Sequence, residues 1–189
     1  MQIHYHRDGR VARDRTQIGL YFLKKKVDRP FAGGVVAGGK GTGAFRTFFS
    51  IPPGESGFTL NGDAYAHGDF TLHIVTPHMH LLGKEIKCTI TPPGEPTRTI
   101  IHIKDWDYNW QENYILKEPL RIKAGTKLSV EAVYDNSEKN LLNPFSPPRR
   151  ITFGEQTFNE MCLVFLGGTT SRDTWMGRNR LLPLLPKSP

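Results

Sequence analysis

The sequence predicts an all-β protein, a jelly-roll-like β-sandwich of antiparallel strands. Short segments that alternate apolar and polar residues recur along the chain, and turn-forming pairs such as Pro-Gly and Asn-Gly separate them. The 189 residues include 19 glycines and 14 prolines, and hardly any segment shows the 3.6-residue period of a helix. Many short strands joined by turns are typical of sandwiches and jelly rolls, and this length fits one medium-sized domain.

The first part of the chain contains two predicted strands and a glycine-rich segment. Strands are expected at residues 2–6 and 17–23, on either side of a polar turn. The segment RPFAGGVVAGGKGTGAF, residues 29–45, predicts a flexible loop. Gly34, Gly39 and Lys40 have the spacing of a phosphate-binding loop, but residue 41 is glycine rather than Ser or Thr and no helical pattern follows. Nucleotide binding is therefore not expected there.

The rest of the chain continues as strands and turns. Alternation is clearest at residues 99–104 and 127–134. Residues 138–157 are rich in Asn and Pro and predict a long loop, after which EMCLVFLG predicts a last apolar strand. From residue 169 the chain is polar and proline-rich, which predicts an extension that is either packed on the surface or disordered.

Charge, hydropathy and cysteine content exclude several classes of function. The net charge of +7 comes without the helix-turn-helix or aromatic signatures of a nucleic-acid reader, so it predicts a solvated basic surface and no nucleic-acid partner. No apolar run approaches the roughly 18–20 residues of a membrane span, and no signal-peptide pattern opens the chain. Cys88 and Cys162 allow one disulfide or two free thiols, and no CxxC motif supports a zinc-ribbon or thioredoxin-like site.

His78 and His80 form the first candidate metal-binding pair. They lie two residues apart in TLHIVTPHMHLLGK, a segment that otherwise predicts a strand, so both side chains project to one face. Two such imidazoles can hold copper or zinc, although a turn-capping and a surface histidine would give the same pattern. Met161 begins the last predicted strand and by itself indicates core packing. Together, two imidazoles and a thioether form a ligand set that favours copper.

Three motifs in this order resemble a known family. TPHMHLLGK, the later NEMCLVF and the opening MQIHYHRDGR with DRTQIGLYF are similar to the C-terminal, copper-binding domain of copper type II ascorbate-dependent monooxygenases. The resemblance covers residues 1–168 and implies that His78, His80 and Met161 are the ligands of the catalytic copper. It also implies that His4 is a ligand of a second, electron-donating copper, whose other two ligands belong to an N-terminal domain. His6 is an additional histidine beside His4.

Several positions depart from the family pattern. Thr76 stands where the peptide hydroxylases of the family have an arginine that holds the substrate carboxylate. Leu163 and Phe165 replace an asparagine and a tyrosine, and Ala132 replaces the cysteine that pairs with the residue after the methionine. These departures imply an apolar pocket that does not recognise peptidyl-glycine. They leave Cys162 either free or bridged to Cys88 by a different route.

The sequence leaves open the roles of an aromatic segment and of one further histidine. The segment DWDYNWQENY is strongly aromatic, and Trp106, Tyr108 and Trp110 either pack within sheets and loops or line a groove near the copper. His73 is expected on the opposite strand face from His78 and His80, unless Pro77 introduces a bulge. A packed or surface role is the interpretation for His73.

The resemblance implies a copper-dependent monooxygenase domain that uses O2, an external reductant such as ascorbate, and a small-molecule or peptide-like substrate. We expect a fragment of a two-copper enzyme, with residues 1–16 as an inter-domain strand or linker, 17–168 as the copper-binding β-sandwich and 169–189 as an extension. Electrons would come from an N-terminal copper domain or another donor, and the location would be secreted or periplasmic. The alternatives are a non-catalytic copper-binding β-sandwich and a carbohydrate- or peptide-binding jelly roll.

Overall fold

All the regular structure in the described part of the chain is β-strand. The computed structural model describes residues 3, 5, 9–39, 48–171, 182 and 184–185. The strands there are β1 (Phe31–Ala37), β2 (Ser50–Ile51), β3 (Ser56–Ala66), β4 (Phe70–His78), β5 (Gly83–Thr91), β6 (Arg98–Ile103), β7 (Tyr114–Ile122), β8 (Lys127–Asp135), β9 (Ile151–Thr152), β10 (Leu163–Thr170) and β11 (Leu184–Leu185). None of the described residues forms a helix that is long and apolar enough to cross a membrane.

The strands form two main antiparallel sheets. One has the order β1-β10-β4-β7 and the other β11-β3-β8-β5-β6, while β2 and β9 form a small separate pair. Among the eight long strands the first pairs with the last, the second with the seventh, the third with the sixth and the fourth with the fifth. This nested pairing is the wrap of a jelly roll. The prediction of an all-β, antiparallel β-sandwich is therefore confirmed.

The core lies between the two sheets. Strand alternation turns one face of each sheet inward, and the residues on that face are almost entirely apolar. The four-stranded sheet contributes Leu72, Val75, Val164 and Leu166, and the five-stranded sheet contributes Ile86, Cys88, Ile90, Leu128, Val130 and Tyr134; all are buried.

Two expectations for the first part of the chain are wrong. Residues 17–23 form no strand and are exposed, because no neighbouring strand accepts their backbone hydrogen bonds in the described structure. The glycine-rich segment does not form a loop throughout, since Phe31–Ala37 is β1. Gly34 has no side chain, which lets Leu184 of the C-terminal tail pack closely against this strand: a Cβ built at Gly34 would lie 2.9 Å from Leu184 Cδ1. Residues 2, 4 and 6–8 lie outside the described residues, so the strand expected at 2–6 has no structural outcome.

The C-terminal tail packs against the sandwich where it is described. Leu182 is buried and its backbone N–H donates to the carbonyl of Gly33 (2.8 Å). Leu184–Leu185 then pairs with β3 at Tyr65 and Ala66 as an added edge strand. Of the two alternatives for the tail, surface packing holds for these residues.

The long loop between β8 and β9 is held by a buried asparagine. Asn136 Nδ2 donates to the carbonyls of Pro52 and Arg149, both at 2.8 Å, and its Oδ1 accepts from Asn143 Nδ2 (2.9 Å). A single amide thus joins the start of the loop to the chain before β3 and to its own far end. The loop predicted at residues 138–157 is therefore confirmed up to residue 150, but β9 (Ile151–Thr152) interrupts its second part.

Candidate metal centre

His78 and His80 lie together at the end of β4. His78 is the last residue of the strand, Pro77 and Met79 are buried on either side of it, and His80 is only 4% exposed. The two imidazole rings are 5.1 Å apart between centroids and nearly perpendicular, at 82°. The i, i+2 spacing therefore brings both rings to one side of the chain, as the strand pattern predicts.

Sheet register brings Met161 to the same place. Antiparallel β10 starts with Leu163 opposite His78, so two residues before Leu163 correspond to two residues after His78. Met161 therefore lies alongside His80, just beyond the last rungs of the ladder. Glu160 ties the two together, because its Oε2 accepts from the backbone N–H of His80 (2.9 Å) and of Met161 (3.2 Å). The backbone of Met161 is thus tied to that of His80, next to the His78 ring.

The hydrogen bonds of both rings identify the tautomer of each histidine. The carbonyl of Asn159 can only accept, so His80 Nδ1 donates to it (3.0 Å). Gln111 Nε2 donates to the carbonyl of Tyr108 (2.8 Å), which turns Gln111 Oε1 towards His78 Nδ1 (2.6 Å). In the neutral form of each ring the proton is therefore on Nδ1 and the lone pair is on Nε2. An oriented imidazole of this kind is what a metal ligand requires.

Burial favours the neutral form of His78. Removal of the ring from water lowers the pKa of His78 below its usual value, and the hydrogen bond to Gln111 opposes this in part. A lowered pKa means that the ring stays unprotonated to a lower pH than an exposed histidine. A metal can bind only the unprotonated ring, so the electrostatics agree with the hydrogen bonding.

Glu160 is a buried carboxyl group that accepts hydrogen bonds from the backbone around His80 and Met161. Its Oε1 accepts from the backbone N–H of Leu82 (2.7 Å), in addition to the two bonds to Oε2. Burial raises the pKa of Glu160 above its usual value, while the three backbone donors at His80, Leu82 and Met161 favour the ionised form. Behind it, Tyr134 donates its hydroxyl to the carbonyl of Met161 (2.8 Å).

The donor set fits copper better than a harder metal. No group of three or more His, Cys, Asp or Glu side chains is arranged to hold a metal ion in the described residues. Two imidazoles and a thioether form a different set, which suits the softer Cu(I). His4 and His6 lie outside the described residues, so the ligand expected for a second copper has no structural position here.

Two residues of the aromatic segment DWDYNWQENY, Trp106 and Tyr108, lie next to His80. Trp106 is buried and its Nε1 donates to the carbonyl of His80 (3.1 Å). The Tyr108 ring is 6.3 Å from the His80 ring, at 89°. Trp110 is 66% exposed. Trp106 therefore supports the chain at His80, while Tyr108 borders the candidate site.

An apolar surface adjoins His78 on the outer face of the four-stranded sheet. Directly opposite residues of antiparallel strands share a face, and the register pairs Phe165 with Thr76 and Ile115 with Ile74. The Phe165 ring is 6.1 Å from the His78 ring. Thr76 donates its hydroxyl to Asn113 Oδ1 (2.6 Å). We call Ile74, Thr76, Ile115 and Phe165 the outer patch.

His73 lies on the outer face because of a bulge at its own position. Both pairings of β4 skip this residue: Gly167 pairs with Ile74 and Gly168 with Leu72. His73 Nε2 lies 3.0 Å from Thr169 Oγ1. The expectation of an opposite face, with Pro77 as the only source of a bulge, is therefore wrong; the packed role of His73 is observed.

Both cysteines are free and buried. Cys88 projects from β5, and Cys162 precedes β10 in the other sheet. A Cβ built at Gly38 would collide with Cys162 Sγ, so the thiol fills the space that this glycine leaves.

The fold and these side chains define a jelly-roll domain with a candidate site for a soft metal. The family described as copper type II ascorbate-dependent monooxygenase, C-terminal domain, matches residues 42–167, and the chain belongs to this family. The match includes His78, His80 and Met161 and confirms the resemblance drawn from the motifs.

Three relatives illustrate the similarity. DBH-like monooxygenase protein 1 of Mus musculus is 27% identical over 177 residues, which is 88% of this chain and 27% of that protein. DBH-like monooxygenase protein 2 of Mus musculus is 26% identical over 178 residues, 87% of this chain and 26% of that protein. Dopamine beta-hydroxylase of Canis lupus familiaris is 24% identical over 178 residues, 88% of this chain and 26% of that protein. The chain thus spans about a quarter of the length of the relatives it matches.

Proposed function

We propose that this chain is the copper domain at which a copper type II monooxygenase hydroxylates its substrate, with His78, His80 and Met161 as the metal ligands. The observation that supports this most directly is the pair of Nδ1–H donors, which leaves the lone pair of each ring on Nε2. Met161 would supply the thioether, and its backbone N–H shares the acceptor Glu160 Oε2 with that of His80. A structural or surface role would not require two imidazoles oriented in the same sense next to a methionine.

The protein would orient the ligands and the substrate, and the metal would supply the reactivity. Bound copper provides the one-electron chemistry that lets O2 react with a C–H bond. One oxygen atom enters the substrate as a hydroxyl group, and two electrons and two protons reduce the other to water. Gln111 and Asn159 keep the rings of His78 and His80 from rotating. The electrons come from an external reductant such as ascorbate.

The outer patch is the proposed substrate surface. Phe165 is 38% exposed and Ile115 is 76% exposed, and both lie on the face that His78 occupies. Thr76 presents a hydroxyl group where the peptide hydroxylases of the family have an arginine. A small molecule with an apolar part fits this surface better than a peptide with a free carboxylate at its glycine.

The proposal includes parts beyond the described residues. His4 would be one ligand of a second copper in a two-copper enzyme, and an N-terminal domain or another donor would complete the electron supply. Residues 17–168 would form the copper domain, residues 1–16 the connection to the preceding domain and residues 169–189 the extension. The location would be secreted or periplasmic.

Copper binding and oxygen consumption test this proposal with a matched pair of histidine variants. We expect one copper at this site in each wild-type chain and, in the full-length enzyme, ascorbate-dependent O2 consumption after free copper is removed. His78→Ala should lose both, while His73→Ala should keep both, because His73 contacts Thr169 on the same face but lies outside the ligand set.

The alternatives give different results. Copper binding without oxygen consumption in the full-length enzyme would support a non-catalytic copper-binding sandwich. No copper binding by the wild type would contradict both copper functions and leave the carbohydrate- or peptide-binding jelly roll.

A further inference from the structure

We propose that Glu160 is a positioning residue that sets the spacing between His80 and Met161 through their backbone N–H groups. This inference rests on the proposed function, since it assigns a role around the same three ligands. The hydrogen bonds of Glu160 to these residues go to their backbone N–H groups, so it would act through the chain that carries them.

The need for such a residue follows from where the sheet ends. The β4–β10 ladder stops at the pair His78 and Leu163, so backbone hydrogen bonds between these strands no longer fix the chain at His80 and Met161. The two N–H groups instead converge on one carboxylate oxygen, Oε2 of Glu160, at 2.9 and 3.2 Å. Two donors on one acceptor atom restrict the distance between the two backbone segments, and therefore between the side chains they carry.

The second oxygen extends the same constraint to the turn after His80. Glu160 Oε1 accepts from the N–H of Leu82 (2.7 Å), and Leu82 is buried in the core. The carboxylate thereby holds both ends of the His80–Leu82 segment. Glu160 is itself anchored, because its backbone N–H donates to the carbonyl of Thr152 (3.2 Å) and its own carbonyl accepts from Gly154 (3.3 Å).

Only a carboxylate can accept all three bonds. A glutamine has the same shape but one acceptor oxygen, and its NH2 group would face an N–H donor at either Leu82 or the His80–Met161 pair. An apolar side chain would leave all three N–H groups without this acceptor. Burial of a carboxyl group is costly, so its presence at 0% exposure next to the ligands indicates a specific requirement.

The test compares Glu160→Gln with Ile90→Val, a mild change in the buried part of β5 far from the site. Copper(I) affinity is measured by competition with a chromophoric chelator, and the sulfur ligand is followed by X-ray absorption. We expect Glu160→Gln to bind Cu(I) about 10–100-fold more weakly and to lose or weaken the sulfur signal. Ile90→Val should keep both, with circular dichroism showing a folded apo-protein in each case.

The outcomes separate this inference from the proposed function. If wild-type protein binds no Cu(I), or binds it without sulfur, the proposed function fails. If the wild type binds Cu(I) with a sulfur ligand and Glu160→Gln does so with unchanged affinity and signal, the positioning role alone is overturned and Glu160 has only a structural role.

A measurement on the wild type keeps the inference testable if Glu160→Gln does not fold. Amide hydrogen exchange in the apo-protein should show His80, Leu82 and Met161 protected together, because one side chain holds all three. Exchange of the His80 and Met161 amides at the rate of exposed loop amides would contradict the inference.

Discussion

At the scale of single residues, the candidate site depends on which nitrogen of each imidazole carries the proton. Gln111 and the carbonyl of Asn159 both accept from Nδ1, although they come from different loops. One loop precedes β7 and the other precedes β10. The orientation of two neighbouring histidines therefore rests on contacts that are distant in sequence.

The role of Gln111 can be tested against a nearby amide. Gln111→Leu should weaken Cu(I) binding about 10–100-fold, since loss of the acceptor lets the His78 ring rotate and exchange its tautomers. Asn113→Leu is the matched control, because Asn113 accepts from Thr76 and not from a histidine. Chelator competition measures both affinities. Equal affinities for the two variants would contradict the assignment of Gln111.

Residue patterns explain why part of the site could be predicted from sequence. The shared side of His78 and His80 follows from strand alternation alone, which is a local property. The position of the chain at Met161 depends on the register of β10 on β4, so the residues alone indicate a ligand set and the family motifs supply its pairing with the histidines. Gln111 and Glu160 could not be found in this way, because their contacts are set by how loops cross in three dimensions.

At the scale of elements, the glycine-rich segment that predicts a loop in the sequence contains a paired strand in the structure. The segment around β1 resembles a flexible loop, yet Gly33 and Gly34 lie within a strand that pairs with β10 along its whole length. Close packing explains the composition at Gly34, where Leu182 and Leu184 of the C-terminal tail cover the strand. Residues 17–23 show the converse, since an apolar pattern without a partner strand remains irregular.

Two neighbouring glycines provide a test of this packing. A Cβ at Gly34 would lie 2.9 Å from Leu184 Cδ1 and 3.1 Å from Leu182 Cβ, whereas at Gly33 the nearest atom is the carbonyl oxygen of Leu166 at 4.0 Å. Gly34→Ala should therefore lower the free energy of unfolding by about 1–3 kcal/mol. Gly33→Ala should leave it unchanged or raise it by about 0.5 kcal/mol. Urea denaturation measures both, and equal effects would contradict the packing role of the tail.

At the scale of the whole molecule, the nested strand pairing explains how distant segments form one site. The last long strand lies between the first and the third, so the chain at Met161 reaches the end of β4 only when β10 pairs with β4 in the four-stranded sheet. The all-β class could be predicted because short alternating segments and turns are local signals. The bulge at His73 and the strand partners could not, since both depend on which strands become neighbours.

The sandwich interior also determines the state of the cysteines. Burial raises the pKa of Cys88 to about 12, with a further rise from the charge of Cys162, and burial raises the pKa of Cys162 to about 12 as well. Because a raised pKa leaves almost no thiolate at pH 8, the native protein should react slowly with a thiol reagent. Two thiols should react after denaturation. No reactive thiol in denatured, unreduced protein would reveal a disulfide and contradict the free state of both residues.

The most direct test of the copper assignment is X-ray absorption of the Cu(I)-loaded chain, with two methionine variants of similar volume. Met79 lies between the two histidines in sequence but is buried in the core, whereas Met161 is the proposed ligand. The wild type and Met79→Leu should both show a sulfur neighbour of copper together with imidazole nitrogens, and Met161→Leu should show nitrogens only. A wild-type spectrum without sulfur, or a sulfur signal that survives in Met161→Leu, would contradict the assignment of His78, His80 and Met161 as the copper ligands.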